Sequence, residues 1–80
     1  MRLVVKDRVY RHYKGDRYIV LFTGEDSNND RDREPTVIYM SLDDPHAGEI
    51  KVRRVSEFLS DVMVDGVIQP RFELIKKWES

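Results

Sequence analysis

Cysteine is absent from the 80 residues. Disulfides, thiolate metal ligands and cysteine nucleophiles are therefore excluded, and a stapled secreted mini-domain does not fit a chain of this length. A reducing cytoplasm is the expected compartment. No apolar run approaches the roughly 20 residues of a membrane-spanning helix, and Met1-Arg2-Leu3-Val4-Val5-Lys6-Asp7 meets charge too early for a signal-peptide core. No membrane partner is expected. A dominant sign of charge is missing as well: fourteen Lys and Arg offset fifteen Asp and Glu, for a net charge of -1. No global field then draws the chain to nucleic acid, and only a local patch can do so. Paired-carboxylate, Gly-rich phosphate-loop and nucleophile motifs are lacking too, so neither an enzyme nor a cofactor is expected.

What is present suits one small core. Hydrophobic residues make up 40% of the chain, with four Tyr, three Phe and one Trp, more aromatic content than a disordered chain carries. Charged residues make up 36%, and most are needed to cover the large surface of a small domain. Neither an internal repeat nor an interdomain linker interrupts the sequence, so residues 1–80 are read as one domain.

Residues 9–13 and 18–22 are rich in β-formers and flank Lys14-Gly15-Asp16, which predicts a hairpin. Alternation places Tyr18, Val20 and Phe22 on one side and Ile19 and Leu21 on the other, as in a central strand. Leu3-Val4-Val5 is a candidate edge strand. Residues 25–34 contain no apolar side chain and run into Pro35, which predicts a solvated loop. Residues 36–42 follow as a strand, with Val37, Tyr39 and Ser41 opposite Ile38, Met40 and Leu42. Asp43-Asp44-Pro45-His46-Ala47-Gly48 is a turn region. Residues 49–53 alternate Ile50 and Val52 with Lys51 and Arg53, the pattern of a strand whose charged face is wet. Val55, Phe58, Leu59 and Val62 have helical spacing over two turns at most, with Ser56 as candidate cap. Asp65-Gly66 between Val62-Met63-Val64 and Val67-Ile68 is a strong hairpin signal. Pro70 marks an edge or bulge, and residues 72–75 are read as a final strand. Together these predict a mainly β fold, a small β-barrel or roll of five or six short strands with one helical turn. An oligonucleotide-binding barrel usually needs a longer chain.

Several of these residues also form an ordered pattern. Tyr10-Arg11-His12-Tyr13-Lys14-Gly15, Tyr18, Val20, Val37, Tyr39, Val52, Arg53, Phe58, Asp65-Gly66 and Pro70-Arg71-Phe72 follow in that order across residues 9–75. The chain resembles the bacterial domain-of-unknown-function family 1653. The resemblance implies a small barrel similar to the Src-homology-3-like class in a bacterial protein, divergence from the pattern also allows a phage origin, and no reaction is implied. The chain departs from that pattern in four places. Lys51 stands where the family has Trp, Arg54 where it has Pro, Met40 where it often has Arg, and residues 25–35 replace a shorter segment carrying His.

The first candidate site is the charged and aromatic set Tyr10, Arg11, His12, Tyr13, Arg53 and Arg71. A guanidinium presents a planar fork to carboxylate or phosphate, and Tyr rings stack on flat groups. It predicts a binding module for a protein segment or small acidic ligand. Arg stems packed on rings also occur in ordinary cores, the commoner reading of such a set. The alternative is RNA or single-stranded DNA held by a basic face of Lys14, Arg17, Lys51, Arg53 and Arg54. An enzymatic reading centred on His12 has no Ser or Cys nucleophile nearby in sequence. Asp26, Asn28 and Asp30 match the start of a calcium loop, but Arg31 replaces its Gly and Val37 its bidentate Glu. His46 lacks a second ligand at zinc spacing. Exposed strand edges in so small a domain are compatible with a monomer or a weak dimer.

Overall fold

Seven strands and one helical turn follow one another along the chain in the computed structural model, which describes residues 3–25 and 35–75. They are β1 Val9–His12, β2 Arg17–Glu25, β3 Pro35–Ser41, β4 Ile50–Arg54, α1 Val55–Phe58, β5 Asp61–Val64, β6 Val67–Pro70 and β7 Phe72–Leu74. Five strands form one antiparallel sheet in the order β4-β3-β2-β1-β7, and β5 pairs with β6 alone.

Both predicted hairpins form. Gly15, at φ +112°, closes the β1–β2 turn, where the His12 carbonyl accepts from the Gly15 N–H at 2.7 Å. Asp65 and Gly66 both have positive φ, 51° and 80°, in the two-residue loop that leaves Val64 opposite Val67. That is the backbone a primed hairpin turn requires. Pro35 is the first residue of β3, a position where its missing N–H does little harm to a ladder.

The mainly β expectation with one short helical turn holds, with seven strands where five or six were expected. The sheet is not closed into a barrel, because no ladder joins β4 to β7. The chain between those two edges is spent on α1 and the separate β5–β6 hairpin. Leu3-Val4-Val5 is not a strand; the Val5 N–H donates to the Tyr10 hydroxyl instead of to a ladder, at 2.9 Å. The helix ends at Phe58, and Val62 lies in β5. Ser56 is not its cap: Arg54 holds that position without a side-chain hydrogen bond. Residues 26–34, with the Asp26, Asn28 and Asp30 pattern, and residues 76–80 lie outside the described residues.

Two strands differ from their predicted facing. In β2 the register shifts between Val20 and Phe22, so that Val20 opposes Tyr39 while Phe22 opposes Ile38. The extra residue is a β-bulge at Leu21, and a one-residue slip moves every later side chain to the other face. Phe22 is therefore turned away from Tyr18 and Val20 and is 58% exposed. In β4 the alternation is inverted. Lys51 and Arg53 oppose Tyr39 and Val37 on the inner face, leaving Ile50 and Val52 outside, 55% and 64% exposed.

The core occupies the inner face: Tyr10, Val20, Val37, Tyr39, Phe58 and Phe72, joined by half-buried Val4, Tyr18, Val55, Leu59 and Leu74. Phe58 arrives from α1 and stacks on Phe72 with ring centroids 4.1 Å apart and planes 4° from parallel. It meets Tyr10 and Tyr39 edge-on at 5.1 and 5.5 Å. Because Phe58 is wholly buried, Phe58→Ala is expected to cost about 3–5 kcal/mol in denaturant unfolding. Met63→Ala, at a position 68% exposed, should stay within about 0.5 kcal/mol of the parent chain.

Candidate functional site

Alternation along three strands carries the core aromatic row out to one end of the inner face. His12 opposes Phe72 across β1 and β7, and Tyr18 opposes Ser41 beside it. The His12 ring lies 4.9 Å from Phe72 edge-on and 4.4 Å from Tyr13, and Tyr18 meets both Tyr39 and Phe72 edge-on, at 5.2 and 5.7 Å. Such pairs add to stability beyond their buried area.

Arg53 enters from the inverted face of β4. Its Nε donates to the Tyr39 hydroxyl at 3.0 Å, and its guanidinium carbon lies 5.8 Å from the Phe72 ring centroid. Glu57 approaches one terminal nitrogen only to 4.0 Å. Arg71 is fixed similarly. Its Nε donates to Ser60 Oγ at 3.0 Å, and its backbone N–H donates to the Ser60 carbonyl at 2.9 Å. The Ser60 hydroxyl in turn donates to the Glu57 carbonyl at 2.6 Å, so its proton is directed at a backbone acceptor rather than at a base. Among the described residues no carboxylate forms an ion pair with Arg71.

His12 Nδ1 accepts the Lys14 backbone N–H at 3.2 Å, which leaves the ring proton on Nε2. Burial, and then the positive charges of Arg53, Lys14 and Arg71, hold the His12 pKa below its ordinary value of 6.5, with Asp16 opposing. The imidazole is thus a neutral donor at neutral pH. Burial, followed by Asp16 and Tyr39, raises the Tyr18 pKa and keeps its phenol protonated. The site is a set of hydrogen-bond donors in a positive local field. It suits an acceptor carrying negative charge.

Four of the six residues singled out in the sequence, His12, Tyr13, Arg53 and Arg71, are brought together. Tyr10 lies behind them in the core, 3% exposed. Arg11 is on the outer face, opposite Arg17 and Glu73. Tyr18, Tyr39, Phe72 and Ser60 complete the cluster, and strand alternation from Tyr10 and His12 is the signal that reaches Tyr18. The five cations of the nucleic-acid reading are divided. Lys51 and Arg53 share the inner face, Lys14 stands in the β1–β2 turn, and Arg17 and Arg54 belong to the outer face. Arg17 binds Asp43 through its backbone N–H at 2.6 Å and Nη2 at 2.8 Å. Those two hydrogen bonds hold the Asp43 pKa below the ordinary carboxylate value. His46 pairs with Glu49 at 3.0 Å in an exposed turn.

The depressed His12 pKa has a sign that can be checked. Between that value and 6.5 the unfolded chain binds more protons than the folded one, so stability falls as pH is lowered through this window. Arg53→Gln should raise the His12 pKa toward 6.5 in an NMR titration and flatten that part of the stability profile.

A comparison with curated proteins gives no match. Among solved structures, a crystal structure of a protein of the DUF1653 family from Bordetella bronchiseptica is similar in fold, with a TM-score of 0.76 and 26% identity over 95% of this chain and 94% of that one. The family model described as "Protein of unknown function (DUF1653)" matches residues 8–74, a span that holds the whole aromatic row and both arginines. The chain belongs to the DUF1653 family.

Proposed function

We propose that this domain is a non-catalytic binding module that takes an acidic group, presented by a protein segment or a small ligand, against Arg53, Arg71 and His12. One observation carries the reading: each arginine is fixed through Nε, Arg53 by the Tyr39 hydroxyl and Arg71 by Ser60. Both forks are preorganised, with Glu57 no nearer than 4.0 Å to a terminal nitrogen of Arg53, which lowers the ordering cost of gripping a carboxylate. Phe72, Tyr13 and Tyr18 add flat apolar surface beside them. The Src-homology-3-like kinship belongs to the same proposal, since aromatic-lined grooves beside charged side chains are how such domains hold peptides. Among the described residues no helix is long and apolar enough to cross a membrane, and the lack of cysteine favours a cytoplasmic setting. The nucleic-acid alternative is the weaker reading, because its cations are split between two faces and Arg17 is bound to Asp43.

Succinate and a short Glu-rich peptide are suitable probes in an NMR titration of labelled protein. Shifts are expected at His12, Tyr13 and the Arg53 and Arg71 side-chain Nε–H signals, and Arg53→Gln with Arg71→Gln should weaken binding at least tenfold. Binding undiminished in the double variant would overturn the reading. A single-stranded oligonucleotide that binds more tightly than either probe, with affinity falling steeply as salt is added, would favour the alternative.

A further inference from the structure

One residue of α1 reaches both arginines of the site, by opposite ends. The Glu57 carbonyl accepts the Ser60 hydroxyl at 2.6 Å and the Ser60 N–H at 3.1 Å, and the same Ser60 oxygen accepts the Arg71 Nε–H at 3.0 Å. Its main chain is thereby held on the Arg71 side. Its carboxylate turns the other way, with Oε1 at 4.0 Å from Arg53 Nη1 in an i,i+4 pair across the start of the helical turn. Phe58, the next residue, is wholly buried and stacked on Phe72, so the turn that carries Glu57 is pinned by the core.

The two contacts on the Arg53 guanidinium differ in kind. Tyr39 takes its Nε–H at 3.0 Å, a hydrogen bond that sets where the fork stands. Glu57, at 4.0 Å, forms an ion pair without a hydrogen bond, and its side chain is 59% exposed, with room to turn into solvent. The other carboxylate that acts on His12, Asp16, forms no ion pair with Arg53 or Arg71 among the described residues.

We infer that Glu57 is a built-in competitor for the Arg53 fork: its carboxylate stands where an acidic ligand would bind and must swing outward to admit it, so that Glu57 sets the affinity of the site. The inference rests on the binding reading above. Being part of the chain, Glu57 competes without the translational cost that a free ligand bears. A ligand carboxylate displaces it by closing to hydrogen-bond distance, since charge-assisted hydrogen bonds are the strong ones. The cost of that displacement is small, because exposed ion pairs shift an equilibrium by only about two- to fivefold. Glu57 therefore weakens the site without shutting it.

The test is the succinate titration by NMR, carried out on the parent chain, on the isosteric Glu57→Gln and on Glu73→Gln. Both variants remove one negative charge, but Glu73 lies on the outer face, opposite Arg11 across β1 and β7. Glu57→Gln is expected to bind succinate about two- to fivefold more tightly, and Glu73→Gln to bind it like the parent. The Arg53 Nε–H signal should be equally protected in all three, since the Tyr39 contact is untouched. Equal tightening in both variants would overturn the inference, reducing the effect to net charge. Unchanged or weaker binding in Glu57→Gln would overturn it too, the weaker case with loss of Arg53 protection making Glu57 a support of the fork rather than its competitor. In those cases binding that is still lost in the Arg53→Gln, Arg71→Gln double variant leaves the binding reading standing. Succinate that binds none of these proteins removes the reading and the inference together.

Discussion

Tyr39 is where the core and the candidate site become one object. Its ring, 1% exposed, lies among Tyr18, Phe58 and Phe72 in edge-on contacts. Its hydroxyl accepts the Arg53 Nε–H at 3.0 Å. A buried phenol loses stability unless its oxygen finds a partner, and here a guanidinium from the neighbouring strand supplies the proton. A hydrogen bond to a charged group contributes about 1.5–3 kcal/mol, a sizeable share of what so small a core provides. Packing the core therefore fixes Arg53, and Arg53 in turn helps hold His12 neutral.

Both surfaces of the sheet follow from how β4 is turned. With Lys51 and Arg53 inward, the inner face ends in charge rather than continuing as core. Ile50 and Val52 then have no interior to enter. The bulge at Leu21 matches this from the next strands by sending Phe22 outward to join Ile38 and Val52. Among the described residues, α1 and its Phe58 cover the inner face of the five-stranded sheet.

The legible part of the fold was the part decided by local chemistry. Gly15 and Asp65-Gly66 announce their turns because only particular residues tolerate positive φ, and Val37, Tyr39 and Ser41 reveal their common face by period two alone. The bulge was illegible, since Leu21 is an ordinary strand residue and its displacement is set by partners on β3. The facing of β4 misled for a related reason: alternation gives the two faces but not which one the rest of the chain covers, and an apolar pair can face outward. The same limit separates Arg11 from His12, adjacent in sequence and on opposite faces of β1. Arg53 and Arg71 could be grouped with Tyr10 to Gly15 from the ordered pattern they share, and the structure brings them beside His12, yet Ser60, which holds Arg71, carries no sequence signal.

The most direct measurement on this account is the side-chain Nε–H resonance of Arg53, followed by NMR in the parent chain and in Tyr39→Phe, which removes one oxygen and keeps the ring. The account predicts a distinct, exchange-protected signal in the parent that collapses to the position and fast exchange of a free arginine in the variant, with the sheet intact. A signal equally protected in both would contradict it, showing that Arg53 is held by something other than the Tyr39 hydroxyl and that core and site are not joined there.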